Sequence, residues 1–168
     1  MTHNSDPNAQ RILILDFGSQ YTQLIARVIR ELNVYCEILS FDTDISRIKA
    51  FKPAGVVLSG GPATVTETDT PRANREIFNL DCPVLGICYG MQTMAAQLGG
   101  EVETSKQREY GFSEIRSIST SPLIDGLHDR LDADGTGLLQ VWMSHGDRVS
   151  TLPDGFSVLA VSENAPMA

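Results

Sequence analysis

Residues 83–100 read PVLGICYGMQTMAAQLGG, and this stretch decides the fold. Pro83 to Ile87 is a short apolar run, the pattern of a strand buried on both faces. Tyr89 to Leu98 reads as a helix, ended by Gly99-Gly100. Cys88 falls at the junction, inside Gly86-Ile87-Cys88-Tyr89-Gly90. G-x-C-x-G between a strand and a helix has the form of a nucleophile elbow with cysteine in place of serine. A nucleophile on so sharp a turn projects into open space. The residues two before and two after it come close to each other and to neighbouring strands, so they must be small, as Gly86 and Gly90 are. The helix N-terminus favours thiolate through its partial positive charge and free N–H groups. The Tyr89 N–H is placed to donate to an oxyanion. The same pattern also fits a buried structural cysteine between glycines that serve packing, and taken alone it leaves both readings open.

Upstream, Arg11 to Asp16 (RILILD) reads as a buried strand, followed by Phe17-Gly18-Ser19. Ser19 is suited to cap the next helix, in which Leu24, Ile25, Val28, Ile29 and Leu32 repeat at helical spacing. Val34–Leu39 is expected as a strand, Ile45–Phe51 as a short helix and Ala54–Leu58 as a third strand. Residues 63–70 form a Thr-rich surface loop, and Arg72–Asn79 is expected to be helical. Downstream, Glu101–Thr104, Gly111–Ile118, Leu138–Trp142 and Ser157–Val161 read as strands, with a turn near Leu123–Leu127. Alternating strands and helices imply an open, mostly parallel α/β sheet with helices on both faces. The C-terminal part implies a mixed or antiparallel extension of it.

The 168 residues suit a domain of ordinary size, and 42% apolar content is enough for a core. Residues 1–10 are polar, lack the apolar centre of a signal peptide and read as a flexible leader before a domain at 11–168. Net charge is −8, and thirteen Lys and Arg are scattered without a cluster. That argues against nucleic acid and against anionic lipid. No apolar run approaches the roughly 20 residues of a membrane span. Three cysteines without metal-type spacing argue against a disulfide framework and for a reducing cytosol. Cys82, at a strand start, and Cys36, within a strand, read as inert core thiols.

Two further segments carry chemistry. Leu58-Ser59-Gly60-Gly61-Pro62 follows the third strand, on the carboxyl edge that also carries Cys88. Open α/β sheets bind ligands at that edge. Adjacent glycines let a backbone N–H approach a reacting carbonyl, so Gly61 could supply a second oxyanion donor; an ordinary turn fits as well. Asp16 to Gln20 closes the first strand on the same edge, where Ser19 and Gln20 could meet a ligand. Trp142-Met143-Ser144-His145-Gly146-Asp147 is a dense polar cluster after a strand, with His145 the one histidine in a chemical setting. It reads as a pocket rim or as a structural histidine beside a glycine turn.

Gly-Ile-Cys-Tyr-Gly-Met-Gln at 86–92 resembles the nucleophile motif of the class I glutamine amidotransferases, and Leu-Ser-Gly-Gly-Pro at 58–62 resembles their oxyanion loop. Residues 12–24 (ILILDFGSQYTQL) and 141–147 (VWMSHGD) are similar to the branch of that family that serves GMP formation. The resemblance runs from about Arg11 to Ala168. It implies a flavodoxin-like fold and assigns Cys88 the attack on the side-chain amide of L-glutamine. Ammonia leaves, and a glutamyl thioester remains for water to hydrolyse. It assigns the oxyanion to the N–H groups of Gly61 and Tyr89. Gly60, Gln92, Ser144, His145, Gly146 and Asp147 are expected to bind substrate. No metal or cofactor is expected in this domain. ATP and Mg2+ belong to a second, synthetase domain of a longer chain, a homodimer at full length, which aminates XMP to GMP.

The family's base is a histidine in a His-Pro-Glu segment, and no such triplet occurs here. The chain is therefore expected to stop short of that segment and to have little activity alone. Two alternatives compete: an amidotransferase serving CTP or anthranilate synthesis, and a glutamine-binding module with an unused cysteine.

Overall fold

A computed structural model describes residues 10–162, 165 and 167, with side chains described throughout except at 105–110 and 144–145. The expected leader lies, apart from Gln10, outside the described residues. The chain divides into two compact units, Met1–Gln97 and Leu98–Ala168, with the boundary in the last turn of a helix.

The first unit is built on four parallel strands: β1 (Arg11–Asp16), β2 (Tyr35–Ser40), β3 (Gly55–Leu58) and β4 (Val84–Gly86), ordered β2-β1-β3-β4. In β1, Leu13, Ile14 and Leu15 are all fully buried. Alternation sends Ile14 to one face and Leu13 and Leu15 to the other, so both faces are covered. Helix α1 (Thr22–Glu31) covers one of them. There Ile14, Ala26, Cys36 and Val57 form a core with Ile25 and Ile29 packed against it. Helix α2 (Ile45–Phe51) is capped by Asp44, which accepts the Ser46 N–H at 2.7 Å. Helix α3 (Tyr89–Leu98) has the expected bounds and is followed by Gly99 at φ +100°.

Two local expectations need correcting. The Ser19 side chain does not cap α1. The N-cap is Tyr21, and Ser19 Oγ instead accepts the Tyr21 N–H at 3.1 Å in a tight turn. Asp16 ties the helix start to β1, accepting from Thr22 Oγ1 at 2.7 Å and from the Gly18 N–H at 2.9 Å. The helical segment at 72–79 is a 3-10 helix of Arg75–Asn79 alone. Pro71 precedes it, and Asn74 caps it through the Glu76 N–H.

The second unit contains the expected antiparallel strands: β5 (Glu101–Ser117), β6 (Arg130–Leu131), β7 (Gly137–Thr151) and β8 (Ala160–Val161). Among the described residues they pair with one another as a second sheet, order β6-β7-β5-β8. The two strands expected at 101–104 and 111–118 are one long strand. Its register with β7 slips between Thr104 and Glu109, so residues 105–108 lie opposite Gly146 alone. The polar segment at 143–147, expected after a strand, lies inside β7, where Ser144 pairs with Tyr110 and His145 with Glu109. Long cross-strand pairing overrides the local turn signal of Gly146.

Candidate active site

The order β2-β1-β3-β4 places a topological switch between β1 and β3, because the chain leaves β1 toward one side and β3 toward the other. Loops diverge at the carboxyl end of such a pair and open a ligand crevice. Residues 17–19 and 59–61 stand there. Cys88 follows β4, the neighbour of β3.

Cys88 adopts φ +50°, left-handed backbone that a residue with a Cβ enters only under constraint. Packing at the two flanking glycines supplies that constraint. A Cβ on Gly86 would lie 2.6 Å from Met91 N and Cα and 2.9 Å from the Gly90 carbonyl carbon. A Cβ on Gly90 would overlap the Leu58 carbonyl oxygen, with the Leu58 Cβ at 2.7 Å. The elbow is thus pressed on itself and on β3, as the spacing predicts. Its backbone is tied by Ile87 N–H to Leu58 O at 2.9 Å and Gln92 N–H to Cys88 O at 3.0 Å.

Cys88 is exposed, while Cys36 is buried and donates its thiol to Ala26 O at 3.4 Å. Loss of water around the Cys88 sulfur pushes its pKa above the ordinary thiol value. That desolvation opposes the pull toward thiolate expected from the helix N-terminus. Cys82 is half-buried and is also raised, by burial and by Asp81.

Tyr89 and Gly61, the two residues expected to hold an oxyanion, follow β4 and β3 respectively. Tyr89 is the first residue of α3, where backbone N–H groups lack intrahelical acceptors. Its ring is buried against Phe17, and its hydroxyl donates to Pro71 O at 2.7 Å. A Cβ on Gly61 would stand 2.6 Å from Phe17 O, so only glycine fits. A Cβ on Gly60 would meet Ser19 Oγ at 3.5 Å and the Cys88 Cβ at 3.6 Å. Gly60 therefore sits where the β1 loop, the β3 loop and the elbow meet. Gln92 is buried on the first turn of α3, 4% exposed.

Gly146 and Asp147 lie in β7, in the second unit, with Asp147 buried. Ser144 and His145 belong to the same strand, and their side chains are outside the described set. One residue of this site escaped the sequence reading. Ser59 is fully buried, and its hydroxyl accepts from Phe17 in the loop after β1 and lies in hydrogen-bond reach of Gly60 O in its own loop; only its place in the Ser-Gly-Gly-Pro turn hinted at a role.

A parallel α/β sheet with a strained, exposed cysteine at a glycine-flanked elbow, beside a double-glycine loop, has the architecture of an α/β protein with a nucleophile elbow. Residues 13–168 match the model of the class-I glutamine amidotransferases, and the chain belongs to that family. It is 60% identical over 159 residues to a glutamine-hydrolysing GMP synthase of Methylobacillus flagellatus, covering 95% of this chain and 30% of that protein. A second GMP synthase, from Methylococcus capsulatus, is 57% identical across 98% of this chain and 31% of its own length. The chain thus spans about a third of the relatives it matches. The crystal structure of a Thermoplasma acidophilum protein, provisionally assigned to a GMP synthase, aligns with TM-score 0.75 and 28% identity, over 94% of this chain and 75% of that one.

Proposed function

We propose that this chain is the glutamine-hydrolysing part of a GMP synthase. The observation that carries the reading is Cys88 itself, at φ +50° between two glycines whose neighbours admit no Cβ, with Gly60 against its Cβ. The Cys88 sulfur attacks the side-chain amide carbon of L-glutamine. As the C–S bond forms, the carbonyl π pair moves to oxygen, where the N–H groups of Gly61 and Tyr89 hold it. The C–N bond then breaks and ammonia leaves with a proton from the thiol. Water adds to the thioester, releasing glutamate and restoring the thiol. Gly60, Gln92 and the Ser144–Asp147 segment hold the amino-acid end of glutamine. The proton relay belongs to the His-Pro-Glu histidine that the resemblance expects and that these 168 residues do not contain.

In the longer protein the ammonia passes to a synthetase part of the same polypeptide, in a cytoplasmic homodimer, where ATP and Mg2+ support the amination of XMP to GMP. No residue of this chain is assigned to ATP or metal. Among the described residues no helix is long and apolar enough to cross a membrane. The 57–60% identity to GMP synthases supports this reading over a CTP or anthranilate type. A glutamine-binding module without turnover is the second reading, favoured by the raised Cys88 thiol.

The test is brief labelling with a glutamine-like chloroketone, followed by peptide mapping. Cys88 is expected to be modified first, with L-glutamine protecting it. Equal labelling of Cys36 or Cys82, or no protection by glutamine, sinks the assignment. Ammonia release by the longer protein, lost in Cys88→Ala, separates hydrolysis from mere binding.

A further inference from the structure

We infer that Ser59 is a positioning residue for the oxyanion site, its buried hydroxyl locking the Gly60–Gly61 peptide so that the Gly61 N–H keeps one orientation. The inference rests on the reading of Cys88 as nucleophile and Gly61 as donor. Ser59 is fully buried. Its N–H donates to Leu15 O at 3.0 Å, extending the ladder one residue past β3. Its Oγ accepts the Phe17 N–H at 3.0 Å and lies 2.9 Å from Gly60 O and 3.4 Å from Asp16 Oδ1. A hydroxyl has one proton to give. With the lone-pair side taken by Phe17, the shorter acceptor, Gly60 O, receives it.

The Gly60 carbonyl and the Gly61 N–H belong to the same peptide unit. No cis peptide occurs among the described residues. In a planar trans peptide the C=O and N–H point in opposite directions. Drawing Gly60 O onto the buried Ser59 hydroxyl therefore turns the Gly61 N–H away from it, out of the core. Such a lock has a purpose here. Two consecutive glycines leave the peptide free to rotate at little cost, and a rotated peptide would present a carbonyl oxygen to the oxyanion. Close packing of Gly61 on Phe17 O and of Gly60 beside the Cys88 Cβ holds the loop in place. The hydroxyl selects which end of the peptide faces outward.

The experiment compares two reagents on the full chain. A glutamine-like chloroketone carries its electrophilic carbon beside a carbonyl oxygen in the position of the amide oxygen. Cys88 sulfur displaces chloride: the S–C bond forms, the C–Cl bond breaks and the thiol proton passes to water. Iodoacetamide loses iodide in the same way but is too small to be placed by the glutamine site. Ser59→Ala is expected to lower the maximal chloroketone inactivation rate about tenfold, less than outright loss of a donor, with the half-saturating concentration unchanged. The iodoacetamide rate should stay within about twofold, because it reports thiol reactivity alone. Ser59→Thr and Ser59→Val have one shape and differ in the hydroxyl, so Thr is expected to retain the chloroketone preference and Val to lose it, whether or not the alanine variant folds. Parallel loss with both reagents, or equal behaviour of Thr and Val, overturns the inference. If the unaltered chain reacts with iodoacetamide but not with the chloroketone, the glutaminase reading itself fails, and this inference falls with it.

Discussion

The backbone at Cys88 stores strain that its neighbours maintain. A left-handed residue with a Cβ costs roughly 1–3 kcal/mol, and the close approach of Gly90 to Leu58 and of Gly86 to Met91 holds it there. Gly90→Ala is therefore expected to destabilise the first unit by at least about 2 kcal/mol, since the added methyl meets backbone and cannot be accommodated by a rotamer change. Urea unfolding followed by circular dichroism checks this, as a fall in midpoint at constant slope. A change below about 0.5 kcal/mol would show that β3 and α3 separate easily and that the elbow is not tightly held.

At the scale of elements, the loop at 63–74 is clamped to α3 by side chains. Arg72 donates to Thr93 Oγ1 at 3.1 Å and to Val65 O at 2.9 Å. Gln97 Nε2 reaches Ala73 O at 2.8 Å, and Arg75 reaches Gln97 O at 2.7 Å. Thr93 is fully buried and donates to Gln97 Oε1 at 3.3 Å, so removing the guanidinium takes away the donor to its buried hydroxyl oxygen. Hydrogen bonds to charged groups contribute about 1.5–3 kcal/mol each when buried, less when water competes. Arg72→Ala is expected to cost about 1–2 kcal/mol and to open residues 63–70 to protease before the rest of the unit. Limited proteolysis with mass mapping reads it, and unchanged cleavage sites would assign the loop's order to Val65 and Ala73 packing instead.

For the molecule as a whole, the question is which group takes the thiol proton. Desolvation raises the Cys88 pKa, and a raised thiol pKa means that thiolate appears only as pH climbs past the ordinary thiol range. The rate of Cys88 alkylation by iodoacetamide is expected to rise steadily into the alkaline range, with no plateau near neutrality. His145 is proposed to bind substrate, not to take the thiol proton. His145→Ala should accordingly leave this pH profile unmoved while weakening protection by glutamine. A neutral plateau in the parent chain, abolished by His145→Ala, would make His145 the base of a Cys–His pair.

Much of this was legible along the chain because its physics is local. Apolar runs of strand length, helical spacing and the punctuation at Gly99 mark β1, α1, β3 and α3 to within a residue or two, and G-x-C-x-G announces the elbow by what its neighbours must lack. The long β5–β7 pairing was not legible. Gly146 in a polar segment signals a turn, and only a partner strand some forty residues earlier makes it part of a ladder. The same limit hid the desolvation of the Cys88 sulfur, which depends on what surrounds it, and the part proposed for Ser59, an ordinary serine until Phe17, forty-two positions away, donates to it. Sequence by itself determined which residues could form an elbow and a glycine loop, since backbone freedom and hydrophobic period are properties of neighbours. Tertiary structure decided the burial, desolvation and hydrogen-bond direction that turn those residues into a site, because these arise between atoms that the chain holds far apart.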